Sequence, residues 1–247
     1  MSAPLARAGS ALSRVREGFA QALTPGRLIR RYKRFLAEVE LADGSRVTAH
    51  CNNSGSLATC LEPGALVYLS PSDKPGRRTA FTWEMIRING GWVGVNTLLP
   101  NRLVAAAARA RALPLFAGAL AVRPEVKVGS HSRLDLMVER VQGPLYVEVK
   151  NVTMVHGDLA SFPDAVTTRG AKHLEELMRL TAQGRQAAMV YVVQRADASR
   201  FAPAADIDPA YAEHFARARA AGVGVTVVQA KVTPRGVGLW RELPLAL

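Results

Sequence analysis

The sequence predicts a mixed α/β protein of two domains, a small β-barrel followed by an α/β unit. Three observations carry that prediction. Five short strand-like runs with turn residues between them occupy residues 25–100. Strand-like and helix-like runs then alternate from 101 to 247. Within that second half, Asp135, Glu148 and Lys150 interrupt two otherwise apolar strand-like runs.

Residues 1–24 hold Ala, Ser and Arg with a single acid, Glu17. They lack the continuous apolar centre of a secretory signal and read as a poorly ordered basic extension rather than a transit-like helix. In the barrel region, Phe35, Ala37, Val39 and Leu41 alternate with Leu36, Glu38 and Glu40, and Asp43-Gly44 supplies a hairpin turn. Val47, Ala49 and Cys51 continue beyond it. Pro63-Gly64 and Pro75-Gly76 bracket a run at Ala65–Ser70, and Asn89-Gly90-Gly91 separates Thr82–Ile88 from Trp92–Val95. An OB-like barrel fits five short strands in this length.

Residues 101–121 read as helical, with Ala-rich Val104–Ala112 at their centre and Pro114 as a stop. Leu134–Val138 and Leu145–Val149 read as strands. Thr167–Gln183 is a helix closed by Gly184, with Pro163 and Asp164 at its start. Ala188–Gln194 is a buried strand. Asp208-Pro209 opens a helix running to Ala221, and Val223–Ala230 is a further strand. Strands interleaved with helices define a mixed α/β unit over 101–247.

Of the 247 residues, 49% are hydrophobic, enough for a proper core, and the formal net charge is +12, mostly from arginine. Such an excess draws in polyanions, and arginine forks onto phosphate, although a GC-rich genome inflates the same residue. Nucleic acid, DNA foremost, is the expected partner. No apolar run is long enough for a bilayer, and two cysteines make neither a disulfide scaffold nor a Cys₄ zinc site, so a cytoplasmic protein without membrane contact is expected. His50, Cys51 and Cys60 read as a structural His and buried thiols, and Asn52–Ser56 as a tight polar loop near a phosphate or at a domain interface. No helix-turn-helix is evident, which argues against reading of a specific operator. The oligomeric state stays open, a homodimer included.

The chemistry lies in Ser132–Leu136 and Tyr146–Lys150. A charge amid apolar strand residues is costly unless it is paired or metal-bound. If the two strands form an antiparallel hairpin, Asp135 falls opposite Glu148, and Glu148 and Lys150 share a face by period-two alternation. Asp135, Glu148 and the Val149 carbonyl then offer oxygen ligands to Mg²⁺ or Mn²⁺, and Lys150 is placed to orient water or stabilise charge on a phosphate. An ordinary ion pair on a strand face is the competing reading. Arg169, Lys172 and His173 cluster within about one turn and face phosphate, with Thr167 and Thr168 adding hydroxyls, or else form a solvated helix face. Arg133 flanks Asp135. In the barrel, Arg27, Arg30, Arg31, Lys33 and Arg34 surround Tyr32 as a candidate phosphate-contacting stripe with a stacking ring, or as a guarded edge strand.

Together these stretches resemble the sugar fermentation stimulation protein A (SfsA) family. The likeness rests on Arg27–Phe35, Thr48–Ser56, Gly94–Thr97, Pro100–Val104, Asn151–Thr153 and Phe162–Leu177, with Asp135 and Glu148-Val149-Lys150 among them. It implies an N-terminal OB domain and a C-terminal restriction-endonuclease-like domain of the PD-(D/E)XK type, with Asp135, Glu148 and Lys150 as the metal and catalytic set. It also implies DNA binding of low sequence specificity and a role in regulating sugar, particularly maltose, metabolism, which leaves open a non-catalytic regulator. The helix before such a core often supplies an additional Glu. Here the stretch taken for it is Ala105–Ala108, without a carboxylate, which bears on catalysis more than on binding. Asn52 stands where the family usually has proline.

Overall fold

In the computed structural model, which describes residues 11–72, 75–129 and 132–246, the chain forms a barrel followed by a sheet domain. Residues 1–10 of the expected extension lie outside the described residues. Residues 11–24 are not a loose arm. Leu12 and Val15 are buried in the core of the second domain, Phe19 and Leu23 pack against it, and β1 (Arg16–Glu17) pairs with the last strand of the chain. Spaced apolar residues within an Ala- and Arg-rich run provide that seam.

The barrel contains β2 (Thr24–Tyr32), β3 (Leu36–Leu41), β4 (Arg46–His50), β5 (Leu66–Pro71), β6 (Phe81–Ile88) and β7 (Gly91–Gly94). Their order is β4-β3-β2-β5-β6-β7, and a parallel contact between β4 and β6 closes the ring. Closure removes the free edges through which such a small sheet would aggregate. Five runs are legible in the sequence as strands. The sixth, β2, is the cationic run, in which Gly26 and Leu28 are the buried residues. Alternate residues of the other strands, among them Val39, Val67, Leu69, Trp83 and Ile86, fill the interior with Cys51 and Cys60, both free thiols.

The second domain begins at α1 (Leu98–Arg109). It goes on through β8 (Ala119–Val128), β9 (Ser132–Arg140), β10 (Leu145–Val152), β11 (Met154–His156), β12 (Leu159–Phe162) and α2 (Thr168–Ala182). It ends with β13 (Gln186–Val193), β14 (Arg200–Pro203), α3 (Pro209–Ala220), β15 (Gly224–Thr233) and β16 (Gly236–Glu242). A seven-stranded mixed sheet runs β1-β16-β15-β13-β10-β9-β8, with β10, β13 and β15 parallel. A small sheet β11-β12-β14 adjoins it.

Central β13 shows why its sequence reads as a continuous apolar run. Ala188, Val190 and Val192 face α1, whereas Met189, Tyr191 and Val193 face α2 and α3. Both faces of a parallel centre are covered. The helix expected over 101–121 is shorter and earlier. It ends at Arg109, Arg111 takes a left-handed φ of 51°, and a strand starts at Ala119. Val122, Val126 and Val128, branched and at alternating positions, favour that strand over continued helix. Leu99, Leu103 and Val104 of α1 are fully buried, each adding about 1.5–3 kcal/mol over the exposed state. Among the described residues no helix is long and apolar enough to cross a membrane.

Candidate metal and nucleic-acid site

Strands β9 and β10 pair as the expected hairpin, with Leu145 opposite Val138, Tyr146 opposite Met137 and Val147 opposite Leu136. The next pair on that diagonal is Glu148 with Asp135, and there the ladder stops. Leu134 packs in the α2–α3 layer, yet Leu136 and Val138 pack in the α1 layer. The strand therefore turns over at Asp135. Opposite this point on β8, Glu125 takes a left-handed φ of 51° and drops out of the register. Released from the ladder, the Asp135 carboxylate accepts the Val149 N–H at 2.8 Å and an amide N–H of Asn101 at 2.7 Å. Burial and the neighbouring Glu148 charge push the Asp135 carboxyl above its ordinary range.

Glu148 and Lys150 share one face of β10, as alternation predicts, and Lys150 Nζ donates to Glu148 Oε1 at 2.6 Å. His173 of α2 presses Nδ1 against the same oxygen and lies 3.1 Å from Lys150 Nζ. Residue Glu148 is 2% exposed. Burial alone would raise its carboxyl, but the His173 hydrogen bond and the Lys150 charge outweigh that and hold it below the ordinary range. Its other oxygen, Oε2, is buried without a hydrogen-bond partner. Such an orphan is costly unless something electropositive meets it.

All three groups line one cavity of 430 Å³, together with Val149. The cavity is shared between domains. Arg34 and Asn53–Gly55 of the barrel form one wall, and Asp164–Thr167 with Arg169, Gly170 and His173 form the other. The polar loop predicted at Asn52–Ser56 is thus both at the domain interface and at the site. Asp164 ties the walls together. Its carboxylate accepts the Leu57 N–H at 3.0 Å, and a Cβ on Gly55 would lie 2.4 Å from Asp164 Oδ1. Asp164 is therefore a bridge and not a helix start. The cap of α2 is Thr167, whose Oγ1 accepts the Gly170 N–H at 3.0 Å, so its hydroxyl is engaged locally. The α3 cap is Asp208, as its Asp-Pro pair predicts, and its second oxygen accepts the Thr167 N–H at 2.8 Å.

The expected phosphate-contacting residues divide. Arg169 lines the cavity beside His173, its Nε 3.4 Å from His173 Nε2. Lys172 is exposed and outside the lining. Exposed Arg133 pairs with Glu125 at 2.8 Å. On the barrel, Arg30 pairs with Glu38 at 2.7 Å and stacks on Tyr32, while Arg27 holds the Gly64 carbonyl at 2.8 Å. Arg31 is committed to structure. Its guanidinium donates to the carbonyls of Arg34, Ser56 and Asn53 at 2.7–2.9 Å, shaping the loop that walls the cavity. Acids on β3 thus answer part of the stripe. Lys33 and Arg34 form the hairpin tip, and Arg34 turns into the cavity.

Reading the sequence misses Asn101 and Asp164. The helix residue that reaches the acidic pair lies one turn before the alanines taken for it, and it carries an amide. Asn101 and Arg102, polar residues inside an apolar helix, are the signal that marks it.

A closed barrel joined to a sheet domain whose acidic pair and lysine meet where a hairpin splays defines the class: an OB barrel followed by a restriction-endonuclease-like domain. Two family models match in that order, the SfsA N-terminal OB domain over residues 29–95 and the sugar fermentation stimulation protein RE domain over residues 98–236. The chain belongs to the sugar fermentation stimulation protein family. A homolog of that description from Geobacter metallireducens is 50% identical over 226 residues, spanning 91% of this chain and 97% of its own. One from Rhodospirillum centenum is also 50% identical, over 92% and 99%. The structure of Pyrococcus furiosus SfsA, described as a complex with Ca²⁺, superposes with a TM-score of 0.85 at 27% identity, covering 94% of this chain and 98% of that one.

Proposed function

We propose that the protein binds DNA with low sequence specificity and hydrolyses phosphodiester bonds at a site that takes Mg²⁺ or Mn²⁺. One observation carries the reading: the orphaned Glu148 Oε2, buried beside a second carboxylate in a cavity both domains line. Asp135, Glu148 and the Val149 carbonyl would hold the ion, hard oxygen donors for a hard cation. Among the described residues no group of three or more His, Cys, Asp or Glu side chains is gathered for a metal, so water and phosphate would complete the shell. The Ca²⁺ in the description of the Pyrococcus furiosus relative belongs to the same class of ion. A bound divalent ion supplies Lewis acidity toward the phosphoryl group.

The chain's own residues do the rest. Lys150 places an ammonium where charge develops on the phosphate. His173 holds Glu148 in place from α2, and Arg34 and Arg169 meet flanking phosphates from opposite walls. A second reading, a regulator of sugar metabolism genes that binds without cutting, is favoured by Asn101. An amide stands where a carboxylate would strengthen the cation site, and the names of the relatives concern sugar fermentation. The test incubates the purified chain with plasmid, single-stranded DNA and RNA in Mg²⁺ and in Mn²⁺. Cleavage that disappears in Glu148→Ala is expected. Binding without any cleavage would select the second reading, and cleavage undiminished in Glu148→Ala would remove Glu148 from the chemistry.

A further inference from the structure

Three exposed apolar side chains lie on the lining of the shared cavity or next in sequence to residues that line it. Val166 is on the lining itself and 74% exposed. Leu98 follows lining residue Thr97 and is 63% exposed, and Phe35 follows lining residue Arg34 and is 44% exposed. They come from three separate elements: the β2–β3 hairpin, the start of α1 and the segment before α2. That hairpin is strained, because Lys33 and Arg34 both hold left-handed φ, at 46° and 62°, where glycine or asparagine is the usual occupant. Arg34 lines the cavity, and Phe35 follows it directly.

An exposed aromatic ring beside cations is suited to stacking on a nucleobase. The outside of a duplex offers phosphate and sugar, with base edges sunk in grooves. The flat face of a base, the surface on which an aromatic ring stacks, is available only when the base is unpaired. The acidic pair also lies at the bottom of a walled cavity. A space of 430 Å³ is near the small end of ligand sites, which run about 300–1,000 Å³. It is on the scale of a nucleotide unit and far short of a double helix. Arg34 and Arg169 then meet the backbone of the strand from opposite walls.

Building on the hydrolase reading above, we infer that the occupant of this cavity is a single strand with unpaired bases, threaded between the barrel loop at 53–57 and the start of α2. Its bases lie against Phe35, Leu98 and Val166, and its phosphate points down to Lys150. An intact duplex does not reach the acidic pair.

The test measures fluorescence polarisation of the full chain in Ca²⁺, using a labelled mixed-sequence oligonucleotide as a free strand and the same sequence closed as a flush hairpin. The free strand is expected to bind about tenfold tighter or more. Phe35→Ala and Val166→Ser, both at exposed positions, are each expected to weaken strand binding about fivefold or more and to leave hairpin binding unchanged. A 2-aminopurine in the strand should change its fluorescence on binding to wild type and not to Phe35→Ala. Equal or tighter binding of the hairpin, or variants that weaken both probes alike, overturns the inference. Cleavage in Mn²⁺ separates the two claims. A chain that prefers strands as described but cuts nothing loses only the hydrolase reading, whereas one that cuts flush duplex as fast as free strand keeps that reading and loses this inference.

Discussion

Asp135 and Val149 are joined by a hydrogen bond from the Val149 main-chain N–H to the Asp135 carboxylate, 2.8 Å long. Val149 sits between Glu148 and Lys150, so the backbone of one strand fixes the acid contributed by the other. The arrangement works against the stability of the ion-free protein. Asp135 is buried next to a second carboxylate, and its carboxyl is raised for both reasons. A raised folded-state pKa on an acid means the native state binds protons more tightly than the unfolded state, so this group's contribution to stability falls as pH rises through that range. Asp135→Asn removes the charge, and Asn101 can turn its amide over to meet the new side chain. Melting in EDTA at neutral pH should therefore occur at a higher temperature for Asp135→Asn than for wild type, while the stabilisation wild type gains from Mn²⁺ should vanish. A variant that melts lower in EDTA and still gains from Mn²⁺ would show that Asp135 is structural.

Arg31 and Arg34 lie three residues apart and predict opposite phenotypes. Arg31 donates to three carbonyls and Arg34 points into the cavity. Arg31→Ala should lower stability by about 1–3 kcal/mol, from carbonyls left without a charged donor. Arg34→Gly should relieve left-handed strain, leaving stability equal or slightly higher, and should weaken DNA binding and flatten its salt dependence by about one phosphate contact. Denaturant titration and binding across a salt series check both. Loss of binding without loss of stability in Arg31→Ala would return that residue to the interface.

His214 links the two outer helices, with Nδ1 2.7 Å from the Ala210 carbonyl and Nε2 3.0 Å from Glu175 Oε1 of α2. The Ala210 carbonyl raises its pKa above 6.5; burial opposes this, Glu175 adds to the rise, and the Arg217 charge works against it. The stabilisation is fully present below 6.5 and is lost as pH rises through the folded-state value. Thermal melts of wild type from pH 6 upward should show this decline, and His214→Ala should lack that component. Parallel pH profiles for the two proteins would exclude the link.

The amount of structure legible in the sequence follows the range of the interactions concerned. Alternation and turn residues carry the barrel strands, and cap residues carry α3, because those signals are local. The convergence of Asp135, Glu148 and Lys150 is legible because a hairpin and period-two alternation suffice to place them. Strand β2 is legible only as a cationic stripe, because few of its residues are buried. Strand β8 is hidden behind an Ala-rich helix that the sequence carries on toward Pro114, past its actual end at Arg109. The cationic stripe misleads because charge on a strand says nothing of its cross-strand partners, and Glu38 and three loop carbonyls take up Arg30 and Arg31. Asn101 reaches Asp135 from another element of the same domain, and Asp164 depends on how the domains dock, which no local pattern encodes.

That docking gives the last prediction. Gly55 approaches Asp164 so closely that a Cβ would lie 2.4 Å from Oδ1, 2.6 Å from Oδ2 and 2.8 Å from Cγ. The carboxylate cannot simply swing away, since it accepts the Leu57 N–H at 3.0 Å. Gly55→Ala must then push the barrel loop off the site wall, an overpacking that costs about 1–3 kcal/mol. Asp164→Ala removes one hydrogen bond and opens space, at about 1 kcal/mol. In the double variant the added methyl enters the space the carboxylate leaves, so its loss should be smaller than the sum of the two single losses. A positive coupling in a double-mutant cycle by chemical denaturation is the expected result. The same cycle read by strand binding should move in parallel, because the loop that shifts is the wall that contacts the strand. Strictly additive losses in both readouts would show that Gly55 and Asp164 do not set the width of the cavity.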